Sequence, residues 1–421
     1  MLQLRTLSGF PAEILRLENG LTVIHQSVPA TPVAVVDVWV RAGAMAEPAQ
    51  WSGMAHFLEH MIFKGTDLMP PGVFDCTIEN RGGMTNAATS HDYAHFFTLT
   101  AAEYLKDTLP ALAELILHAA IPDDEFVRER DVVLEEIRQS ADSPDWLAFQ
   151  ALMEIVYPRH PYGRPILGTE AKLMQHSPQE MRSFHRTHYQ PENMAVVIVG
   201  DVELEPALEL VNQAFEKFPV PEKCPKIQIE AEPPMIEIRR RELYVPRLEQ
   251  ARLIMAWTGP GVDQLQDAYG LDLLSVLLGE GRTSRLVRDL REEGRWVQGV
   301  NCSFSLQQES SLLTISAWLD PKNVEQVEAL ICEHLMQLQA KPISEAELAR
   351  CKRLLCNDYA FSTETPIQLA GLYGYYHTIA RSEMSVTYPA KIQSYQAKDL
   401  QRLAAQYLSP HYYAVTVLKP L

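Results

Sequence analysis

The composition of this 421-residue chain is that of a globular protein, with 47% apolar and 22% charged residues and enough length for two or three domains. A formal net charge of −17 argues against nucleic acid and anionic membranes as partners. A basic peptide would be attracted electrostatically, although an acidic balance is also a common aid to solubility.

The first half is predicted to alternate strands and helices, beginning with a hairpin. Two short apolar strands, 14–17 and 21–25, flank the turn residues Asn19 and Gly20, which is a typical hairpin signal. The elements that follow are strand 33–40, a helix after Gly43, a glycine turn at 82–83, strand 93–100, helices 101–119 and 123–139, strand 194–202 and helix 204–218.

The second half is predicted to repeat this order. Residues 219–234 contain five prolines and no helical period, so we predict a linker there. We then expect an α+β protein with two homologous domains, 1–218 and 235–421, each a mainly antiparallel sheet with helices packed on one side. The second-half elements that support this are strand 251–261, helix 269–279, strand 312–319, helix 323–338 and strand 412–420.

Cysteine usage and the N-terminal sequence bear on the cellular compartment. The six cysteines are sparse and form no C-x-x-C pair, which argues against a disulfide framework and against a cysteine zinc site. Residues 1–20 contain no apolar signal core, and no apolar run is long enough to cross a bilayer. A cytoplasmic location is therefore the expectation.

The two halves differ at one helix. When Gly53 is aligned with Gly270, three polar residues of the first half fall opposite apolar residues of the second half. They are His56, Glu59 and His60, opposite Leu273, Val276 and Leu277. The fold evidently accepts apolar side chains at these positions, so the polar residues of the first half need another explanation.

The polar residues belong to the segment HFLEHMIFKGT, which runs from residue 56 to residue 66. On a helix, His56 and His60 lie one turn apart on one face, with Cβ atoms about 5–6 Å apart, so both can bind one zinc ion. Glu59 points to the same side and can reach a water on that ion. The order H-x-x-E-H is a zinc-protease signature. The alternative is that both histidines lie in a core with local hydrogen bonds, which requires partners for all three polar groups.

A third zinc ligand is expected from the helix DDEFVRERDVVLEEIRQS. One of its faces carries residues at the spacing i, i+3, i+4 and i+7: Glu129, Val132, Val133 and Glu136. A carboxylate directed toward a core needs a cation, so Glu136 is the candidate ligand. Glu129 is the candidate to accept a hydrogen bond from a ligand imidazole. Alternatively, Glu129 is a surface acid that pairs with Arg128 or Arg130.

These residue types together predict amide hydrolysis. Zinc lowers the pKa of water from 15.7 to about 7 and polarises a scissile carbonyl. Glu59 would take the proton from that water and return it to the leaving amine as the general base and acid.

HFLEH followed by ERDVVLEEI resembles the inverzincin metalloproteases of the pitrilysin/insulinase group, and most closely the half-size members similar to the beta subunit of mitochondrial processing peptidase. The segments ENRGGMTNAATSHDYAHFF and HPYGRPILGT are similar to later family signatures, so the resemblance covers nearly the whole chain. It implies one zinc ion per chain, held by His56, His60 and Glu136. It also implies Glu59 as general base and Glu129 as supporting glutamate.

The stretch 82–89 is expected to contact substrate. Gly83 would let another backbone approach, and an edge strand here could pair with an extended peptide. The resemblance implies that this strand holds the main chain of the substrate, so we predict contacts from Gly83, Asn86 and Ala87. The alternative is a hairpin turn without a ligand.

The second half departs from the family pattern. Family members carry an Arg and, seven residues later, a Tyr that contact substrate across a two-subunit clamshell; here Arg291 is followed by Gln298. We expect this chain to supply the zinc half of a heterodimer, and otherwise to form a homodimer. The predicted activity is a zinc endopeptidase for extended or unfolded peptides. The alternatives are a non-proteolytic scaffold subunit and a zinc-holding module that binds peptides without cutting them.

Overall fold

The computed structural model describes residues 3–5, 9–222, 225, 229–230, 232–246 and 248–421. The chain folds into two compact units that are discontinuous in sequence. The first is Met1–Ile137, Arg164–Ile229 and Ser362–Val386, and the second is Arg138–Gly163, Glu230–Phe361 and Thr387–Leu421. The domain boundaries 1–218 and 235–421 stay a prediction, and residues 223–224, 226–228 and 231 of the expected linker lie outside the described part.

The described elements alternate as an α+β fold requires. The strands are β1 (Gln3–Arg5), β2 (Glu13–Arg16), β3 (Thr22–Ser27), β4 (Val33–Val40), β5 (Met84–Thr89), β6 (Ala94–Ala101), β7 (Met194–Gly200), β8 (Arg239–Val245), β9 (Ala251–Pro260), β10 (Val297–Leu306), β11 (Ser310–Leu319) and β12 (Ala414–Pro420). The α-helices are α1 (Met54–Ile62), α2 (Val73–Glu79), α3 (Leu105–Leu117), α4 (Asp123–Ala141), α5 (Pro144–Val156), α6 (Glu170–Leu173), α7 (Pro178–His188), α8 (Leu204–Ala214), α9 (Leu265–Gly279), α10 (Val324–Ala340), α11 (Glu345–Phe361), α12 (Pro366–Ile379), α13 (Tyr388–Ser394) and α14 (Ala397–Tyr407).

The first unit is built on a seven-stranded sheet in the order β1-β2-β3-β7-β4-β6-β5. All neighbours are antiparallel except β3 and β7. The predicted hairpin is confirmed, because β2 pairs with β3 across a turn in which Gly20 has a φ of +96°. Strand β7 is buried along its whole length, which explains its uninterrupted apolar sequence.

One face of this sheet packs on helices α1, α3 and α8 and forms the main core of the unit. The opposite face is covered by α12, which comes from the second half of the sequence. Tyr373 of α12 packs against Val35 and Trp39 and donates a hydrogen bond to Gln26 Oε1 at 2.7 Å. Gly374 lies so close to the Trp39 ring that a Cβ would meet its Nε1 at 2.0 Å.

The second unit repeats this architecture with a five-stranded sheet in the order β10-β11-β9-β12-β8. Its neighbours are antiparallel except β12 and β8. Helices α9, α10 and α14 contact the sheet, while α5, from the first half of the sequence, contacts β8, β9 and β12. The predicted fold class is confirmed, and each unit is completed by one helix from the other half of the chain.

None of the described helices combines the length and the apolar character needed to cross a bilayer. The expected cytoplasmic location stays a prediction.

Candidate metal centre

Helix α1 carries the H-x-x-E-H segment at the centre of the first unit. It has nine residues and begins after Gly53, whose φ of +91° is left-handed. Phe57, Leu58 and Met61 point into the core and are fully buried. The other face carries His56 and His60, whose ring centroids lie 4.8 Å apart. The helix therefore places both imidazoles side by side, as their spacing predicts.

Glu136 of α4 approaches both histidines. Its Oε2 lies 3.7 Å from His56 Nε2 and 3.5 Å from His60 Nε2. One ligand atom from each of the three side chains lies within 4.8 Å of the other two, and among the described residues no other such group of metal-ligating side chains occurs. Ligand atoms about 2.0–2.1 Å from one tetrahedral ion lie about 3.3 Å apart, so these residues fit zinc with little movement.

The protonation of His56 suits a metal ligand. Burial, assisted by the nearby His60, lowers the pKa of His56 to about 4. The side chain is therefore neutral at pH 7, and neutral imidazole is the form that binds a metal ion. His56 Nδ1 is buried without a hydrogen-bond partner in the described part of the chain, so the burial of this ring atom is uncompensated.

Glu129 lies behind His60. Its Oε1 accepts a hydrogen bond from His60 Nδ1 at 2.9 Å, and its Oε2 pairs with Lys64 Nζ at 2.6 Å. Burial raises the pKa of Glu129, but the bonds from His60 and Lys64 outweigh this effect and hold the pKa below its ordinary value. With Nδ1 donating to Glu129, the Nε2 atom of His60 is left free to bind the metal.

The pKa of His60 responds to the same carboxylates. Burial lowers it, but the hydrogen bond to Glu129 and the negative charges of Glu129, Glu136 and Glu59 raise it above its ordinary value overall. This excess of negative charge around one imidazole favours a cation at the centre.

Glu59 is held by the edge strand of the sheet. Thr89 Oγ1, at the end of β5, donates a hydrogen bond to Glu59 Oε2 at 2.6 Å. Burial raises the pKa of Glu59, and the Thr89 hydroxyl and the positive charge of His60 partly oppose that rise. A carboxylate that is half-buried, oriented and harder to ionise than usual is suited to accept and return a proton.

Strand β5 forms one edge of the seven-stranded sheet and, within the described part of the chain, pairs with β6 alone. Asn86 is exposed on one face, whereas Ala87 packs against the core on the other. Gly83 also has a packing role that its sequence context does not predict, because a Cβ there would meet Thr100 Cγ2 at 2.5 Å and Ile78 Cγ2 at 2.9 Å. Internal packing already requires glycine at this position.

Sequence reasoning missed Lys64 and Thr89 and misplaced Val132. Lys64 follows His60 by four residues, a spacing that could have suggested its contact with Glu129. The predicted buried face of α4 is wrong at Val132, which is 51% exposed, while Val133 and Leu134 are buried. Val132 and Val133, at i+3 and i+4 from Glu129, lie on either side of the centre of the predicted apolar face, and tertiary packing decides which of them is buried.

Two family models match the chain. Residues 22–170 match "Insulinase (Peptidase family M16)", and residues 176–355 match "Peptidase M16 inactive domain". A relative called zinc protease PqqE, from Helicobacter pylori, is 30% identical over 414 residues, covering 97% of this chain and 93% of that protein. The chain belongs to peptidase family M16.

Solved structures agree with this M16 assignment. A crystal structure of a protease from Helicobacter pylori superposes with a TM-score of 0.91 at 29% identity, covering 97% of this chain and 99% of that one. Pitrilysin superposes with a TM-score of 0.80 at 22% identity, covering 99% of this chain but 46% of pitrilysin. The pitrilysin match shows the fold alone, and the M16 chain is a half-size member of the family.

The region matched by the inactive-domain model contains Arg291 and Gln298. Arg291 lies in a π-helical turn, Val287–Glu293, and donates to the adjacent Glu292 Oε1. Gln298 is exposed at the start of β10, one of the two edge strands of the second sheet. The two residues are therefore at the surface of the second unit.

Proposed function

We propose that this M16 chain is a zinc-dependent endopeptidase that hydrolyses extended or unfolded peptides. The observation that carries the proposal is the convergence of His56, His60 and Glu136 beside Glu59. Two imidazoles and one carboxylate are a ligand set typical of catalytic zinc, which keeps a fourth position for water or substrate. Zinc is favoured over harder cations by the two nitrogen ligands.

The protein side chains around the ion have separable tasks. Zinc, when bound, would lower the pKa of water and polarise the scissile carbonyl. Glu59, oriented by Thr89, accepts the proton of the attacking water and delivers it to the leaving amine. Glu129 accepts from His60 Nδ1 and so keeps the ring of that ligand in one orientation.

The substrate class follows from the free edge of β5. An extended peptide can add to this edge through main-chain hydrogen bonds, with Gly83, Asn86 and Ala87 as the contacting residues. A folded protein does not present a free extended segment, so flexibility and length of the peptide would matter more than its sequence.

We further propose that a homologous subunit completes the site, as the family resemblance implies for a two-chain clamshell. Gln298 stands where a phenol is expected, and it can donate only from its amide. Loss of one oxyanion donor reduces the rate by roughly 10²–10³, so this chain alone should cleave slowly, and a partner with an intact Arg/Tyr pair should accelerate it. Equal rates with and without such a partner would refute the heterodimer.

The decisive experiment compares Glu59→Gln with the native chain and with Glu79→Gln, a matched change at an exposed position of α2. Zinc content and cleavage of an unstructured peptide are measured on each. We expect Glu59→Gln to keep zinc and lose cleavage, while Glu79→Gln keeps both. Cleavage that survives Glu59→Gln would overturn the proposed mechanism. A native chain that binds zinc and peptide, with or without a partner, but never cuts would favour the peptide-binding alternative.

A further inference from the structure

Glu47 is an acid buried next to the metal helix that the proposed mechanism does not use. Its side chain is 0% exposed. Oε2 accepts from the Gly53 N–H at 3.0 Å, and Oε1 accepts from the Ala55 N–H at 2.7 Å. The donors are the N-cap residue and the second residue of α1, immediately before His56.

The helix has no cap of its own at this end. Its N-cap residue is Gly53, which has no side chain and makes no capping bond. The first four N–H groups of an α-helix lack partners within the helix and carry partial positive charge. A carboxyl group that reaches in from six residues upstream supplies two acceptor oxygens at this end.

A second segment of the unit holds Glu47 and this helix end in place. Arg164 Nη1 donates to the Glu47 carbonyl at 3.1 Å, and His176 Nε2 lies 3.1 Å from the Ser52 carbonyl. Gly53 is pressed against the Leu167 carbonyl, where a Cβ would come within 2.8 Å. The start of α1 is therefore supported by the stretch RPILG, residues 164–168. This stretch belongs to a family signature that the proposed mechanism does not explain.

The Glu47 carboxyl group has polar partners despite full burial. Burial raises the pKa of Glu47 to about 8, while the N–H groups of Ala55 and Gly53 and the guanidinium of Arg164 oppose the rise. Uncompensated burial of an acid is unfavourable, so a chain would keep one here only for the contacts it makes.

We propose that Glu47 is a positioning residue for the metal centre, which acts by fixing the first turn of α1. Two oxygens on two N–H groups define both the rotation and the axial shift of that turn. His56 is the third residue of a nine-residue helix, so its ring direction depends directly on this turn. The inference rests on the proposed zinc site and assigns a role to a residue outside it.

The second unit supports the assignment by contrast. In the alignment of Gly53 with Gly270, Glu47 falls opposite Gln264, and α9 already begins at Leu265. Helix α9 continues through Gly270, so the position aligned with Gly53 is not a helix start that needs to be fixed. Of the two aligned helices, the shorter one, α1, carries the proposed zinc ligands and has the buried carboxyl group at its start.

The test uses the full chain and zinc itself as the probe. Zinc affinity is measured by competition with a chelating dye, and hydrogen exchange of residues 53–56 is followed in the zinc-free protein. We expect Glu47→Gln to weaken zinc binding about tenfold or more and to speed exchange in this turn. The control is Asp37→Asn, which alters an acid 2% exposed and paired with His95 in the same unit. It should lower thermal stability without changing zinc affinity.

A second variant covers the case in which Glu47→Gln does not fold. Glu47→Asp keeps the carboxyl group but is one methylene too short to bridge both N–H groups, and its zinc affinity should be intermediate. A folded Glu47→Gln or Glu47→Asp chain with native zinc affinity and native exchange at 53–56 would overturn the role of Glu47 alone. A native chain that fails to bind zinc would instead overturn the proposed function.

Discussion

Helices α1 and α9 occupy corresponding places in the two units and use them differently. Helix α9 has fifteen residues, and its Leu273 and Leu277 are 0% exposed, so they serve as ordinary core. Helix α1 has nine residues and presents His56 and His60 at the aligned positions. The fold therefore does not need polar residues here, which supports the proposed chemical role of those in the first unit.

This difference predicts that the metal centre destabilises the zinc-free first unit. The buried His56 ring has an Nδ1 atom with no partner among the described residues, and an unsatisfied buried polar group costs about 1–3 kcal/mol. The second unit carries no such penalty at Leu273. Zinc bound on the Nε2 side would leave Nδ1 unpaired but would stabilise the folded chain through its own binding free energy.

The largest expected effect comes from making α1 resemble α9 with His56→Leu. We expect zinc binding to be lost and peptide cleavage to fall by at least about a thousandfold. The zinc-free protein should become more stable by about 1 kcal/mol, because the unsatisfied ring atom is gone. Urea unfolding of the zinc-free chain and a cleavage assay measure the two effects.

The control for this substitution is His185→Leu in the same unit. His185 is also buried, but its Nε2 bonds to the Ile116 carbonyl at 2.7 Å. Removing it leaves that carbonyl unsatisfied and should destabilise the protein by about 1–3 kcal/mol. If His56→Leu destabilises the zinc-free chain as much as His185→Leu does, the contrast between α1 and α9 has no energetic basis.

Acid should unfold the zinc-free first unit before the second. Burial lowers the pKa values of His185, His188 and His377 to about 4, and all three lie in the first unit. An unfolded histidine binds a proton below about pH 6.5, whereas these bind one only below about pH 4, so stability falls as the pH drops between these values. For His185 alone the loss is on the order of 3 kcal/mol.

Hydrogen exchange at a series of pH values, corrected for intrinsic rates, would show this order directly. In the second unit, burial also lowers the pKa of His334, but the carboxylate of Asp289 partly offsets that effect. Peptides from β9 to β11 should therefore stay protected at pH 5 when peptides from α7 and α12 have begun to exchange. The reverse order would contradict the predicted difference between the units.

The contact between strand β5 and Glu59 is a further difference between the two units, and we expect its loss to have a smaller effect. Strand β5 holds Glu59 through Thr89, whereas the alignment puts Val276 at the position of Glu59 in the second unit. Thr89→Val should lower kcat about tenfold with little change in KM, because it removes one hydrogen bond to a charged group. Thr85→Val is the matched control, since the Thr85 hydroxyl donates to the Phe97 carbonyl at 2.9 Å. An equal decrease of kcat in both variants would show that Thr89 does not orient Glu59.

The site residues that the sequence could predict are those whose positions follow from the periodicity of a single helix. His56, Glu59 and His60 follow from helical spacing alone, and Glu136 follows from a carboxylate on a partly apolar face. Thr89 and Glu47 could not be found this way, because their contacts depend on how a strand and a loop approach α1. Their sequence neighbourhoods carry no local signal for such an approach.

Sequence reasoning could not predict, for a similar reason, that each unit takes one helix from the other half of the sequence. Periodicity predicts that a segment is helical and has an apolar face, but not which sheet that face covers. Helices α5 and α12 each pack on a sheet built mostly from the other half of the sequence. Short connections normally keep neighbouring elements together, so that expectation fails here.

The smallest expected effect tests the corrected face of α4 against α11, a helix of the second unit with the same spacing of buried residues. Helix α11 buries Leu348, Cys351 and Leu355, and α4 buries side chains at the same spacing. Those of α4 are Phe126, Glu129 and Val133.

Val132 lies beside that stripe on α4 and should contribute little to helix packing. We expect Val132→Ser to change the free energy of unfolding by less than about 0.5 kcal/mol, and Val133→Ala to lower it by about 2 kcal/mol. Urea unfolding of both variants decides the point. If the two effects are equal, the stripe that carries Glu129 is wider than that of α11, and Val132 belongs to it after all.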